Sequence, residues 1–131
     1  IPGRAGDRWL EVCNLEGYFT RAIYSLSWAL GDTSVPNQSL GKLACAGADG
    51  NIIVFYLVLD KQYQSHHQDP SSDAPQVEVA AQVENAHGLS EVNCIAWEPS
   101  KKEWQSPHLL ASAGDDGQVH IWIEPSPSRM A

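Results

Sequence analysis

One stretch of this chain is written twice. Residues 43–55, Leu-Ala-Cys-Ala-Gly-Ala-Asp-Gly-Asn-Ile-Ile-Val-Phe, return as residues 110–122, Leu-Ala-Ser-Ala-Gly-Asp-Asp-Gly-Gln-Val-His-Ile-Trp, and each copy follows a segment ending in Trp28 or Trp97. Such a repeat constrains the fold more than composition does, because one unit cannot bury its own apolar face and must stack on a neighbour. The chain is expected to be part of an array.

β-branched and aromatic runs bounded by Gly, Pro, Asn and Asp mark eight candidate strands, at residues 9–15, 22–30, 42–48, 51–57, 77–83, 91–97, 109–114 and 118–123. No segment carries a capped helical stripe, so the fold class is all-β. Asp49-Gly50 and Asp116-Gly117 are tight hairpin signals, because glycine supplies the positive φ such turns need. In up-and-down sheets, these short turns and the segments before each copy share one rim. The long polar connections at 31–41, 60–76 and 98–108 share the other. Residues 52–57, Ile-Ile-Val-Phe-Tyr-Leu, show no alternation, as expected of a strand sandwiched between two sheets. Stacked propeller blades supply that environment.

Composition excludes several functions. The chain is 43% hydrophobic and 18% charged, enough to form a core. Its longest apolar run, 52–59, falls far short of the roughly 18 to 20 residues of a membrane-crossing helix, so no membrane role is expected. A formal charge of −8 argues against nucleic acid, since neutralising phosphates needs clustered Lys and Arg. Cys13, Cys45 and Cys94 are odd in number, far apart and strand-borne, which predicts reduced, packed thiols. The start, Ile-Pro-Gly-Arg, reads as a chain beginning inside a longer protein.

The second copy resembles a WD40 repeat. In that family a Gly-His pair, a Ser or Thr, a turn Asp and a Trp make a hydrogen-bonded tetrad; here Ala86-His87, Ser112, Asp116 and Trp122 match it. In the first copy Gly17-Tyr18, Cys45 and Phe55 replace three of the four and only Asp49 remains. Its tetrad is unavailable, so the first copy is expected to be the more labile. The stretches 15–28, 43–49, 86–99 and 109–112, above all Ala86-His87 with Val92-Asn93-Cys94-Ile95-Ala96-Trp97, are similar to the last two repeats of the cytosolic iron-sulfur protein assembly WD40 subunit. The resemblance implies about two four-stranded blades of a seven-bladed ring. Its division would be a flank at 1–8, an outer strand of a preceding blade at 9–16, a first repeat with a degenerate tetrad at 17–84, a second repeat lacking its outer strand at 85–123, and a tail at 124–131. In the family the N-terminal segment of the full protein fills the open edge; residues 9–15 of this or another copy are an alternative occupant.

The resemblance further implies a non-catalytic scaffold in the cytosolic iron-sulfur targeting complex, in the cytoplasm and also the nucleus. Its partners would be a small co-targeting protein, a HEAT-repeat adaptor and apo-protein clients. No cofactor and no metal are expected: His66-His67 sits in a polar loop, and no Cys has a second ligand at metal spacing. His87, Ser112 and Asp116 also supply the residue types of a hydrolase triad, but Ser112 lies inside a strand without a nucleophile elbow. For partner binding the candidates are Tyr18, Phe19, Arg21 and Leu89 on the short-turn rim and Trp104 on the other, with Tyr18 and Phe19 alternatively serving as packing. A rival reading is a generic WD40 adaptor in a transcription or ubiquitin-ligase complex.

Overall fold

The computed structural model describes residues 8–31, 40–58, 76–99 and 109–125. They hold seven strands, β1 Ile23–Ala29, β2 Gly41–Gly47, β3 Ile52–Val58, β4 Gln76–Val83, β5 Val92–Trp97, β6 Leu109–Gly114 and β7 Val119–Ile123, and no helix. β1 to β4 form one antiparallel sheet in chain order and β5 to β7 a second. These are successive blades of propeller type. Strands expected at seven of the eight places are present within about a residue.

Both faces of the central strands β2 and β3 are buried, which explains the unbroken apolar run in β3. Ala44, Ala46, Ile52 and Val54 point toward the second sheet and form one core with Val92, Ile95 and Leu110. The alternate residues Cys45, Ile53 and Phe55 point the other way and pack with Leu15, Phe19 and Leu43. Burying an aliphatic or aromatic side chain of this kind contributes roughly 1.5 to 3 kcal/mol each.

Serines join the sheets at the inner strands. Ser25 Oγ accepts from Ile95 N at 3.1 Å, Ser27 Oγ accepts from Trp97 N at 3.3 Å, and the Trp97 indole donates to the Ser27 carbonyl at 3.1 Å. The free edge of β5 thus finds acceptors on β1, as unpaired backbone donors must.

The short connections meet at one rim. Gly50 and Gly117 hold φ of 81° and 78°, as the Asp-Gly turns require. Ala86 N donates to Gly50 O at 2.9 Å, Asn85 N to Asn51 Oδ1 at 3.1 Å, and Asp115 N to Glu91 O at 3.1 Å, so segment 84–91 ties the turn of the first blade to that of the second.

Three expectations need correction. Residues 9–15 form no strand: Trp9 is fully exposed, and only Leu15 reaches the core. A strand needs a partner across a sheet edge, and no described strand pairs with this segment. Nor does the segment fill the open blade, since no described strand pairs with the outer edge of β7. Of the three thiols only Cys45 is buried; Cys13 and Cys94 are exposed. Cys13 lies in the segment that forms no strand, and the side chain of Cys94 falls on the exposed face of β5.

Candidate functional site

The structure brings His87, Ser112, Asp116 and Trp122 into one network. His87 Nδ1 lies 2.9 and 3.1 Å from the two Asp116 carboxylate oxygens, His87 Nε2 lies 2.8 Å from Ser112 Oγ, and Trp122 Nε1 donates to the same Oγ at 2.9 Å. Proton bookkeeping fixes the directions. The carboxylate only accepts, so Nδ1 carries the ring proton; the indole only donates, so Ser112 accepts from it and gives its own proton to Nε2. His87 and Ser112 are 3% and 1% exposed, so each broken bond would strand a buried polar group.

Local sequence places each member. Ser112 points inward from the middle of β6, opposite His120 of β7. Asp116 lies inside the hairpin turn, where its Oδ1 also accepts from Gln118 N at 3.0 Å. Loss of water raises the Asp116 carboxyl, but the His87 hydrogen bond, the Gln118 N–H and the fields of His87 and His120 outweigh it and hold the group below its usual value. Gly114 makes room for His87: a Cβ there would stand 2.7 Å from two imidazole atoms and 2.8 Å from the Glu91 carbonyl.

The order Ser–His–Asp matches that of a hydrolase triad, yet it is set up for holding. Ser112 is 1% exposed inside a strand, so no carbonyl can approach its oxygen, one lone pair of which already accepts the Trp122 indole N–H.

The first copy assembles the corresponding four positions without the polar chain. Tyr18 meets Phe55 edge to face, with centroids 4.9 Å apart at 77°, and Cys45 packs in the same cluster. Asp49 keeps the turn role of Asp116, accepting from Asn51 N at 3.1 Å and Thr20 N at 3.2 Å. Burial pushes the Cys45 thiol up to about 11, which suits a packed, unreactive group.

Of the suggested contact residues, Tyr18 and Phe19 are drawn into packing on Phe55 and Cys45, although Tyr18 remains 38% exposed. Leu89 is fully exposed at the tip of segment 84–91. Arg21 is largely exposed, 4.0 Å from Glu91. Trp104, His66 and His67 lie outside the described residues.

Two sets of residues escaped the sequence reading. His120 stacks on Trp122 at 5.6 Å and meets His87 edge-on at 4.5 Å; its place two residues before Trp122, on the same strand face, was the available signal. Lys42 is fully buried, pairs with Glu124, and lies 4.5 Å from the Trp97 ring centroid, while Tyr56 donates to Glu124 at 2.8 Å. This ion pair spans the two blades. Loss of water, the Glu124 hydrogen bond and the negative fields of Glu124 and Glu78 drive the Tyr56 hydroxyl well above its usual value. Tyr56, Glu124 and Trp122 also border an apolar cavity of about 380 Å³ between the blades.

The family described as WD domain, G-beta repeat matches residues 81–122. The chain is 45% identical, over 92% of its length, to a Malassezia globosa protein named "Probable cytosolic iron-sulfur protein assembly protein 1", of which it covers 36%. It is 33% identical, over 93% of its length, to a protein of the same name from Mycosarcoma maydis, covering 31%. To the human "Probable cytosolic iron-sulfur protein assembly protein CIAO1" it is 35% identical over 87% of its length, covering 27%. The chain thus spans about a third of the length of the curated relatives it matches. A repeat match on the clasp-bearing blade and similarity along most of the chain agree: residues 81–122 are a WD40 repeat, and the chain is a homologue, over about a third of their length, of the cytosolic iron-sulfur protein assembly proteins.

Proposed function

We propose that this chain is a non-catalytic interaction scaffold for cytosolic iron-sulfur cluster assembly, two blades of a larger ring that holds a targeting complex together. The observation that carries this reading is the 45% identity over 92% of the chain to a relative named for that process. The buried, mutually satisfied clasp supports a structural role for His87, Ser112, Asp116 and Trp122. Further blades would cover the exposed stripe of Leu26, Trp28 and Leu30 on the first sheet and that of Val119, Ile121 and Ile123 on β7. The scaffold acts in the cytosol and the nucleus. It contacts a small co-targeting protein, a HEAT-repeat adaptor and apo-protein clients, with Leu89, Arg21 and the open part of Tyr18 as rim contacts.

Affinity purification of the full-length protein tests this. Recovery of those two subunits, with loss of cytosolic iron-sulfur enzyme activity on depletion, is the expected result. Recovery of a transcription or ubiquitin-ligase complex, with iron-sulfur enzymes unaffected, would overturn it.

A further inference from the structure

We propose that His87, Asp116 and His120 form a binding site for one divalent transition-metal ion of the zinc class. Each residue offers a ligand atom within 4.8 Å of the others. Two imidazoles and a carboxylate suit zinc and its borderline neighbours better than magnesium or calcium. His87 Nδ1 and Asp116 Oδ1, 2.9 Å apart across their hydrogen bond, need separate only to about 3.3 Å to stand at the tetrahedral angle around one ion about 2.0 to 2.1 Å from each. The Asp116 side chain is 21% exposed and gives an ion a way in from the rim.

The outer partners that orient metal-binding imidazoles are already in place. His87 Nε2 rests on Ser112 at 2.8 Å. His120 Nε2 faces Gln118 Oε1 at 2.9 Å, and its ring stacks on Trp122. The Gln118 oxygen only accepts, so Nε2 carries the His120 proton and Nδ1 keeps its lone pair. The hydrogen bonds among His87, Ser112, Asp116 and Trp122 make no use of His120.

Loading moves a proton without losing one. The ion takes the Nδ1 lone pair of His87, and the ring proton relocates to Nε2 and donates to Ser112 Oγ. That oxygen has two lone pairs, so it accepts from His87 and Trp122 together, while its own buried proton gives up its acceptor, a cost that sets a ceiling on the affinity. Clasp and ion therefore coexist.

Calorimetric titration of chelator-treated, purified protein with zinc chloride is the test. One ion per chain binding at micromolar concentration is expected, with His120→Gln weakening it at least fivefold while the metal-free variant still unfolds cooperatively. Absence of binding up to 1 mM zinc would overturn the proposal. So would binding weakened less than fivefold by His120→Gln, which would point to other histidines such as His66 and His67. If His120→Gln does not fold, cobalt chloride added to the native protein decides. Visible absorption that saturates at one equivalent and is displaced by zinc supports the site, and the spectrum of the hydrated ion overturns it.

Discussion

The Trp122 indole N–H reaches the Ser112 hydroxyl at 2.9 Å, and that hydroxyl carries the hydrogen-bonded link from the indole to His87. The tetrad is thus a chain with Ser112 as its hub. Cutting the hub strands two partners at once.

Ser112→Ala leaves the Trp122 N–H and the His87 Nε2 without their buried partner. At about 1 to 3 kcal/mol for each of the two unsatisfied groups, the loss of stability should be roughly 2 to 6 kcal/mol, read by chemical denaturation. Ser112→Thr keeps the hydroxyl and should recover most of it.

Gly114→Ala acts on the same clasp from behind. Its methyl group would meet the His87 ring at 2.7 Å and the Glu91 backbone at 2.8 Å, so the imidazole must leave its place. A loss comparable to that of Ser112→Ala is expected, and the double variant should cost less than the sum, because both break one network.

These two substitutions mark what the sequence does and does not make legible. Strand positions follow from apolar runs and Asp-Gly turns, and Ser112 from its place in the repeated motif. Gly114 as a steric requirement does not, because the approaching ring comes from residue 87. Lys42 and Glu124 stand 82 residues apart, and nothing local announces that a lysine opening an apolar strand will be buried against a glutamate after β7. The segment 9–15 misled because an aromatic and β-branched run makes a strand only where another strand pairs with it. The expected lability of the first copy rested on counting polar bonds alone; the Tyr18–Phe55 pair, with Phe55 fully buried, works against it.

Glu124→Gln removes the carboxylate charge that compensates the buried Lys42 ammonium. Breaking a buried pair from one side costs about 3 to 5 kcal/mol, and the replacement Lys42→Met with Glu124→Leu should cost far less. Because the pair joins the blades, hydrogen exchange in β7 should accelerate more than in β3 for Glu124→Gln.

Thiol chemistry should divide the cysteines by exposure. In the native protein at pH 8, a maleimide reagent should modify Cys13 and Cys94 and spare Cys45. The Cys45 thiol ionises near its ordinary value once unfolded but only at about 11 when folded. The unfolded state therefore releases the proton first, and the contribution of Cys45 to stability, complete below about pH 8.5, should decline as pH rises toward 11. Cys45→Ala should flatten that decline.

Hydrogen exchange at the Trp122 indole tests the architectural clasp most directly. In the wild-type protein this N–H should be protected together with the β6 amides, and in Ser112→Ala it should lose protection while the β2 and β3 amides keep theirs. An indole that already exchanges in the wild-type protein as fast as a solvent-exposed tryptophan would contradict the account.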